Sequence, residues 1–230
     1  MIEEREFATL EEAATALAAD MAERLRTAVA ERGRASLAVS GGRTPHLVLP
    51  GLSRVDLPWD RVRVTLTDDR WVPPDHPDSN ERLARALLLT GPAAAATFTG
   101  LVNGAASPSL GQPETERRLA TFPLPLDVVF LGMGEDGHIA SLFPHGPELT
   151  AGGLCVASRA PVAPHPRLSL SASLLLTARA TVLLVAGAAK RAIYETAKGG
   201  SGSLEDGDAA ELPVRLVLHQ RAMPVTVFLA

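Results

Sequence analysis

Hydrophobic positions along the chain alternate between helical spacing and short continuous apolar runs. The first stretch predicts an amphipathic helix over residues 9–32, with Thr9 as its N-cap, Glu12 as the capping-box partner and Gly33 just past its end. The same periodicity predicts further helices, over 44–53, 81–89 and 188–197, with another beginning within 113–120. Apolar runs predict strands at 35–39, 61–66, 126–131, 154–157, 167–171, 181–186 and 225–229.

Strands that alternate with helices indicate an α/β fold, here three α/β/α layers around a mostly parallel, Rossmann-like sheet. Three segments read as less regular: an irregular connection over 90–113, a glycine-rich turn that opens a short helix over 132–143, and a mobile surface loop over 198–209. The chain contains no internal repeat or clear linker, so we expect a single domain over residues 1–230.

Composition narrows the classes of partner. Hydrophobic residues make up 46% of the chain and the net charge is -4, which favours a large core and argues against nucleic-acid or membrane binding. The single cysteine, Cys155, reads as a small buried residue, and the acidic N-terminus lacks a signal-peptide pattern. We therefore expect a cytoplasmic protein that is a monomer or a weak homodimer.

Candidate chemistry lies where strands end, because ligands of open α/β sheets bind outside the carboxyl ends of the strands. The first such loop carries small residues between a strand and a helix, and it is expected to bind phosphate through backbone N–H groups and an arginine side chain. Its residues are Ser40, Gly41, Gly42, Arg43 and Thr44. The loop lacks the Gly-Lys-Ser/Thr ending of a Walker A motif.

The second loop places Asp68, Asp69 and Arg70 at the end of a strand. Adjacent strand residues point opposite ways, so one aspartate can face the cleft while the other makes structural bonds. We expect Asp68 to orient substrate hydroxyls or an imidazole. Arg70 is expected to contact phosphate or to fix the aspartate loop.

The third loop has the spacing G-x-G-x-x-G and includes Gly134, Asp136, Gly137 and His138. Dinucleotide binding is disfavoured because no acidic residue lies between Glu148 and Glu195, where a ribose partner belongs. His138 is the expected general base, kept neutral by a helix N-terminus. Asp136 and His138 lack a clear third partner, so we expect no metal and no cofactor.

Two cations further along the chain reach the same edge of the predicted sheet. Arg167 begins a strand and Lys190 opens a helix. Together with the Ser40–Thr44 loop, they are expected to form a phosphate clamp.

Taken together, these segments resemble the 6-phosphogluconolactonase family, within the glucosamine-6-phosphate isomerase/6-phosphogluconolactonase superfamily. The resemblance rests on segments spread over most of the chain: Ser40-Gly41-Gly42-x-x-Pro45, Thr67–Pro73 with Ser79-Asn80, Gly132–Pro144, Pro166–Ser169 and Gly187-x-x-Lys190. Asp69 departs from the glutamate usual in that family, and Ile139 from the common threonine. The resemblance implies the NagB/RpiA-like fold, a phosphosugar lactone as substrate and hydrolysis of 6-phospho-D-glucono-1,5-lactone in the pentose phosphate pathway.

Three other functions remain possible from the sequence. An aminosugar-phosphate isomerase/deaminase would share the fold, but deaminases carry a glutamate shortly after Gly-His-Ile-Ala, where Ser141-Leu142-Phe143-Pro144 stands here. A serine esterase built on Ser40, Asp68 and His138 would lack the first glycine of the nucleophile elbow. A sugar-phosphate sensor would need a DNA-binding module, and the chain has no basic region for one.

Overall fold

The chain folds around a seven-stranded, entirely parallel sheet, with a separate three-stranded antiparallel sheet beside it, in a computed structural model that describes residues 2–161 and 164–230. The strands are β1 (Ile2–Glu6), β2 (Ala35–Val39), β3 (Val62–Leu66), β4 (Asp68–Arg70), β5 (Thr97–Phe98), β6 (Val128–Gly132), β7 (Cys155–Arg159), β8 (Pro166–Leu170), β9 (Thr181–Val185) and β10 (Val225–Leu229). The helices are α1 (Leu10–Arg32), α2 (Pro45–Ser53), α3 (Asn80–Leu87), α4 (Pro108–Ala120), α5 (Ala172–Leu176), α6 (Ala188–Lys198), α7 (Asp208–Glu211) and α8 (Arg215–Leu218).

The parallel sheet has the order β1-β10-β9-β6-β2-β3-β5, and helices flank it, with α1 packing against β2, β6, β9 and β10. The predicted α/β fold with a mostly parallel sheet is thereby confirmed. The chain leaves β2 toward β3 on one side and later places β6 on the other side of β2. The carboxyl ends of these strands therefore surround a topological switch point, where such sheets bind ligands.

Local sequence signals account for the best-defined helix. The Thr9 side chain accepts from the Glu12 amide at 3.2 Å while the Glu12 carboxylate accepts from the Thr9 amide at 3.3 Å, as the capping box predicts. Gly33 ends α1 in the left-handed conformation, with φ of 71°. Both expectations for this helix are confirmed.

Other sequence expectations need correction. The segment predicted to open a helix, 132–143, contains none; turns and isolated bridges fill it, because Ile139 pairs with both Met133 and Leu142. The predicted strands at 154–157 and 167–171 exist, but they join β4 in the antiparallel sheet, since β8 pairs with both β4 and β7. Strand β1 was not predicted, because its polar composition, IEERE, belongs to a half-exposed edge.

Two connections also differ from the sequence expectation. Helix α4 begins at Pro108 within the segment read as irregular, capped by Ser107 and tolerant of a second proline at position 113. The 198–209 segment includes the end of α6 and the start of α7, and the Ser201 amide in its interior donates a hydrogen bond to the Asp208 carboxylate at 2.7 Å. Its mobility stays a prediction.

The core includes Cys155, which is fully buried in β7. Burial raises the pKa of the Cys155 thiol to about 12, so it packs as a small hydrophobe, as expected. Within residues 2–161 and 164–230, no helix combines the length and the apolarity needed to cross a membrane.

Candidate active site

Four adjacent strands, β3, β2, β6 and β9, deliver their carboxyl-terminal loops to one cavity of about 250 Å³. All the predicted site residues except Asp136 and Gly137 line it. The lining residues are Ser40, Gly41, Gly42, Arg43, Thr44, Asp68, Arg70, Asn80, Gly132, Met133, Gly134, His138, Ala140, Arg167 and Lys190. The parallel sheet thus brings together side chains that lie up to 150 positions apart in the sequence.

The Ser40–Thr44 loop joins β2 to α2 and needs its glycines. A Cβ at Gly41 would lie 1.8 Å from Asn80 Oδ1, and Gly42 has φ of 96°. The Ser40 hydroxyl bonds Thr67 Oγ1 at 2.9 Å and donates to the Phe130 carbonyl at 3.0 Å. Ser40 therefore connects the ends of neighbouring strands. The loop backbone and the side chains of Arg43 and Thr44 are left to contact a ligand.

Two cations stand on this side of the cavity. Burial lowers the pKa of Lys190 and the nearby Arg43 lowers it further, while Glu135 raises it. Within the part of the chain that the structure describes, neither cation forms an ion pair with a carboxylate. An anion bound between them would relieve their repulsion and supply the missing counter-charge, which is the electrostatic character of a phosphate site.

The two aspartates of the second loop divide as the strand alternation predicts. The Asp69 carboxylate accepts from the backbone amides of Arg70, Asn80 and Glu81 at 2.8, 2.7 and 3.1 Å. It therefore fixes the loop ahead of α3. Asp68 instead lines the cavity, and it accepts a hydrogen bond from Ser141 Oγ at 2.5 Å.

Two arginines border Asp68. Arg167 Nη1 lies 3.6 Å from Asp68 Oδ2, and the Arg167 side chain is only 12% exposed. Burial lowers the pKa of Arg167 while the Asp68 charge raises it. Arg70 Nη1 donates to the Asp78 carbonyl at 2.9 Å and to Asn80 Oδ1 at 3.0 Å, so it also fixes the aspartate loop, one of its two expected roles.

His138 is held by the third loop, which is a tight turn. The Gly134 amide donates to the His138 carbonyl at 2.9 Å, and a Cβ at Gly134 would lie 2.2 Å from His138 Nδ1. Gly137 has φ of 79°, lies outside the cavity and packs against Leu212. No helix follows this turn, so the expected effect of a helix dipole on His138 is wrong. A dinucleotide site would also need a helix N-terminus at this turn, and the turn has none.

The ring of His138 is oriented by two neighbours. Its Nδ1 lies 2.5 Å from Asp136 Oδ1, and the ring packs on Phe143 with centroids 4.8 Å apart. The hydrogen bond to His138 lowers the pKa of Asp136, so this carboxylate stays ionised. Asp136 thus contacts the imidazole, and Asp68 does not. With Nδ1 engaged, Nε2 is the nitrogen left to act as a base.

Sequence reasoning did not assign three residues of this site. Asn80 lines the cavity and accepts a hydrogen bond from Arg70. Ser141 is fully buried and donates to Asp68. Phe143 packs between His138 and Arg167, and the Arg167 guanidinium carbon lies 5.7 Å from its ring centroid. Ser141 and Phe143 belong to the Gly132–Pro144 segment that carries the family resemblance. Their position after His138 was the available signal, but their partners come from other strands.

The Ser40 hydroxyl has no hydrogen bond to His138 among the described residues, so the nucleophile–base pair of a serine esterase is not formed. His138 lines the cavity and Asp136 lies beside it, so this pair offers two potential metal ligands, fewer than the three protein ligands of a catalytic zinc site.

Comparisons with known proteins agree with this geometry. The chain matches the family model described as Glucosamine-6-phosphate isomerases/6-phosphogluconolactonase over residues 8–227. A 6-phosphogluconolactonase from Pseudomonas aeruginosa is 43% identical over 222 residues, which cover 94% of this chain and 90% of that protein. A crystal structure of a 6-phosphogluconolactonase from Shewanella baltica has a TM-score of 0.94 at 40% identity, covering 100% of this chain and 97% of that one.

A more distant solved structure, a monomeric glucosamine-6-phosphate deaminase, has a TM-score of 0.79 at 19% identity and covers 99% of this chain and 96% of that one. That likeness shows a shared fold. The chain belongs to the family of glucosamine-6-phosphate isomerases and 6-phosphogluconolactonases.

Proposed function

We propose that this enzyme hydrolyses 6-phospho-D-glucono-1,5-lactone to 6-phospho-D-gluconate, a step of the oxidative pentose phosphate pathway. The proposal rests on one observation: a single cavity contains both a base and two cations. The base is the imidazole of His138, which Asp136 orients, and the cations are Arg43 and Lys190, which follow other strands. Neither cation has a carboxylate partner among the described residues. A base and an anion site in one cleft suit a small ester that carries a phosphate. The relative from Pseudomonas aeruginosa bears the name of this activity.

In the proposed mechanism, Arg43, Thr44, Lys190 and the backbone of Gly41 and Gly42 bind the phosphate. His138 Nε2 takes a proton from a water molecule whose oxygen attacks C1 of the lactone. The tetrahedral intermediate collapses as the bond from C1 to the ring oxygen breaks, and His138 returns the proton to that oxygen. A lactone is an activated ester, so the scheme needs neither a metal nor a covalent intermediate.

The negative charge that forms on the C1 oxygen needs a donor. The Gly132 and Gly137 amides already donate to Ser40 Oγ and to the Gly134 carbonyl. Arg167 lines the cavity as a largely buried cation whose side chain is 12% exposed. We therefore assign the oxyanion to Arg167 rather than to the backbone of the turn, with Asp68 holding Arg167 in place and facing the substrate hydroxyls.

Deamination of an aminosugar phosphate is the alternative reaction on this fold, and it needs a further carboxylate near the histidine. Position 141 carries a serine that is buried and donates to Asp68. This hydroxyl cannot shuttle protons between sugar carbons as a carboxylate does, so the lactonase reaction is favoured. The cytoplasmic location and the monomeric or weakly dimeric state stay predictions from the sequence.

The substrate assignment is tested by comparing three compounds with the purified protein. We expect fast hydrolysis of freshly prepared 6-phosphogluconolactone above its spontaneous rate, much slower hydrolysis of unphosphorylated glucono-1,5-lactone, and no ammonia from glucosamine 6-phosphate. Ammonia release without lactone hydrolysis would replace the proposal with the deaminase. Equal rates on both lactones would show that the enzyme does not recognise the phosphate, and would contradict the proposed phosphate site.

A further inference from the structure

Two histidines and an aspartate meet outside the catalytic cavity. His165 Nε2 lies 3.1 Å from Asp78 Oδ2, and His76 Nδ1 lies 3.9 Å from the same oxygen. The three potential ligand atoms lie within 4.8 Å of one another, and no other such group of three exists among residues 2–161 and 164–230. We propose that His76, Asp78 and His165 bind a divalent transition metal ion, with Zn²⁺ as the ion of best fit.

The donor set selects the class of ion. Imidazole nitrogens suit zinc and its neighbours in the first transition row, whereas calcium and magnesium prefer oxygen ligands throughout. Around a tetrahedral Zn²⁺ with bonds of about 2.0–2.1 Å, ligand atoms stand about 3.3 Å apart. The two distances from Asp78 Oδ2, 3.1 and 3.9 Å, bracket that value, and all three atoms lie within 4.8 Å of one another, so side-chain rotations that draw the atoms together would complete the geometry. Water would fill the fourth position.

The backbone already brings the ligands together. His76 lies in a tight turn ahead of α3, where its amide donates to the Pro73 carbonyl at 2.9 Å. His165 immediately precedes Pro166 at the start of β8, and the Pro166 carbonyl accepts from the Trp71 amide at 2.8 Å. The two loops are thus tied together beside the trio before any ion binds, which lowers the entropy cost of forming the site.

Other features limit the affinity. The three side chains are between 28% and 55% exposed, so water competes for the ion. The Asp78 amide donates to His76 Nδ1 at 3.1 Å and must release that lone pair, and the Arg70 cation donates to the Asp78 carbonyl at 2.9 Å. These costs favour a dissociation constant on the order of micromolar rather than nanomolar.

The location gives the ion a structural role. None of the three residues lines the catalytic cavity, so the ion would take no part in the hydrolysis. It would instead connect the segment after β4 to the start of β8, and these two strands carry Arg70 and Arg167 at register positions that pair. Binding would thereby stabilise the antiparallel sheet at the rim of the site.

The test is zinc titration calorimetry on tag-free protein stripped with EDTA. We expect wild type to bind one equivalent, with the Kd raised at least about tenfold in both His76→Gln and His165→Gln. His46→Gln is the matched control, because His46 is exposed on α2 and is not one of the three grouped ligands, and it should bind as wild type does. Zinc should also raise the melting temperature of wild type but not of the two ligand variants.

Three outcomes would overturn the proposal. The first is a wild-type protein that binds no zinc, and the second is binding by His76→Gln and His165→Gln that is as tight as that of wild type. The third is a loss of binding in His138→Gln, which would locate the ion at the Asp136–His138 pair. Because the exchanged side chains are partly exposed and lie outside the hydrophobic core, circular dichroism of the metal-free variants should match wild type, so a loss of binding reports on the ligands.

Discussion

The contact between Asp136 and His138 makes a quantitative prediction for Asp136→Asn. The variant keeps the shape of the side chain but removes the charge that lies 2.5 Å from Nδ1. A hydrogen bond to a charged group contributes about 1.5–3 kcal/mol. Because the Asp136 side chain is 48% exposed, solvent screening limits the effect to the lower part of that range, about 1.5–2 kcal/mol. We therefore expect kcat to fall about 10- to 30-fold, with little change in KM.

The pH profile gives an independent readout. The hydrogen bond to the histidine lowers the pKa of Asp136, so the carboxylate is ionised throughout the range in which histidines take up a proton. Protonation of Asp136 removes the same charge as the Asp136→Asn substitution does. The ratio of kcat between wild type and Asp136→Asn should therefore be constant near neutral pH and fall toward one only in acid, as the pH drops through the lowered pKa of Asp136.

The assay measures 6-phosphogluconate formed from fresh lactone, after subtraction of spontaneous hydrolysis. Glu135→Gln is the matched control, because it removes one negative charge from the neighbouring position of the same turn. Its kcat should stay near that of wild type. A wild-type kcat in Asp136→Asn at neutral pH would contradict the proposed role of Asp136, as would an equal loss of kcat in Glu135→Gln.

Three further changes test other parts of the site. Lys190→Met should raise KM for the phosphorylated lactone about 10- to 100-fold and leave unphosphorylated lactone unaffected, because it removes a charged phosphate donor; equal effects on both substrates would contradict this. Phe143→Ala should lower the free energy of unfolding by about 3–5 kcal/mol, because the ring is buried. Phe143→Leu should keep the fold but lower kcat more than it raises KM, because the ring that packs on the His138 imidazole is lost. Asp69→Asn should cost about 1–3 kcal/mol in urea unfolding, because the amide cannot accept from all three backbone N–H groups; unchanged stability would deny Asp69 its structural role.

Much of the fold and most of the candidate site followed from the sequence. Strand alternation assigned different roles to Asp68 and Asp69, and the rule that ligands bind at the carboxyl ends of parallel strands gathered residues from Ser40 to Lys190 into one cleft. The predicted locations agree with the structure because local periodicity and sheet topology determine where a strand ends. The residue that directly follows a strand must therefore lie at the edge of the sheet, close to where the strand ends.

Features that depend on pairing between distant segments could not be predicted. Nothing local distinguishes β7 and β8 from strands of the main sheet, yet both pair antiparallel with β4 or with each other. The turn that holds Gly134–His138 resembles a helix start in composition, but bridges to Ile139 replace the helix. His76 and His165 lie in loops that are far apart in the sequence, and the β4–β8 pairing brings these loops together.

The most direct test of the central claim is hydrolysis of freshly generated 6-phosphogluconolactone with EDTA present, by wild type and by His138→Ala. We expect acceleration well above the spontaneous rate for wild type and a loss of about 10²- to 10⁴-fold in the variant, as for removal of a general base. A His138→Ala protein that hydrolyses the lactone as fast as wild type would disprove the role of His138 as the base, and a wild-type protein that leaves the spontaneous rate unchanged would disprove the lactonase activity.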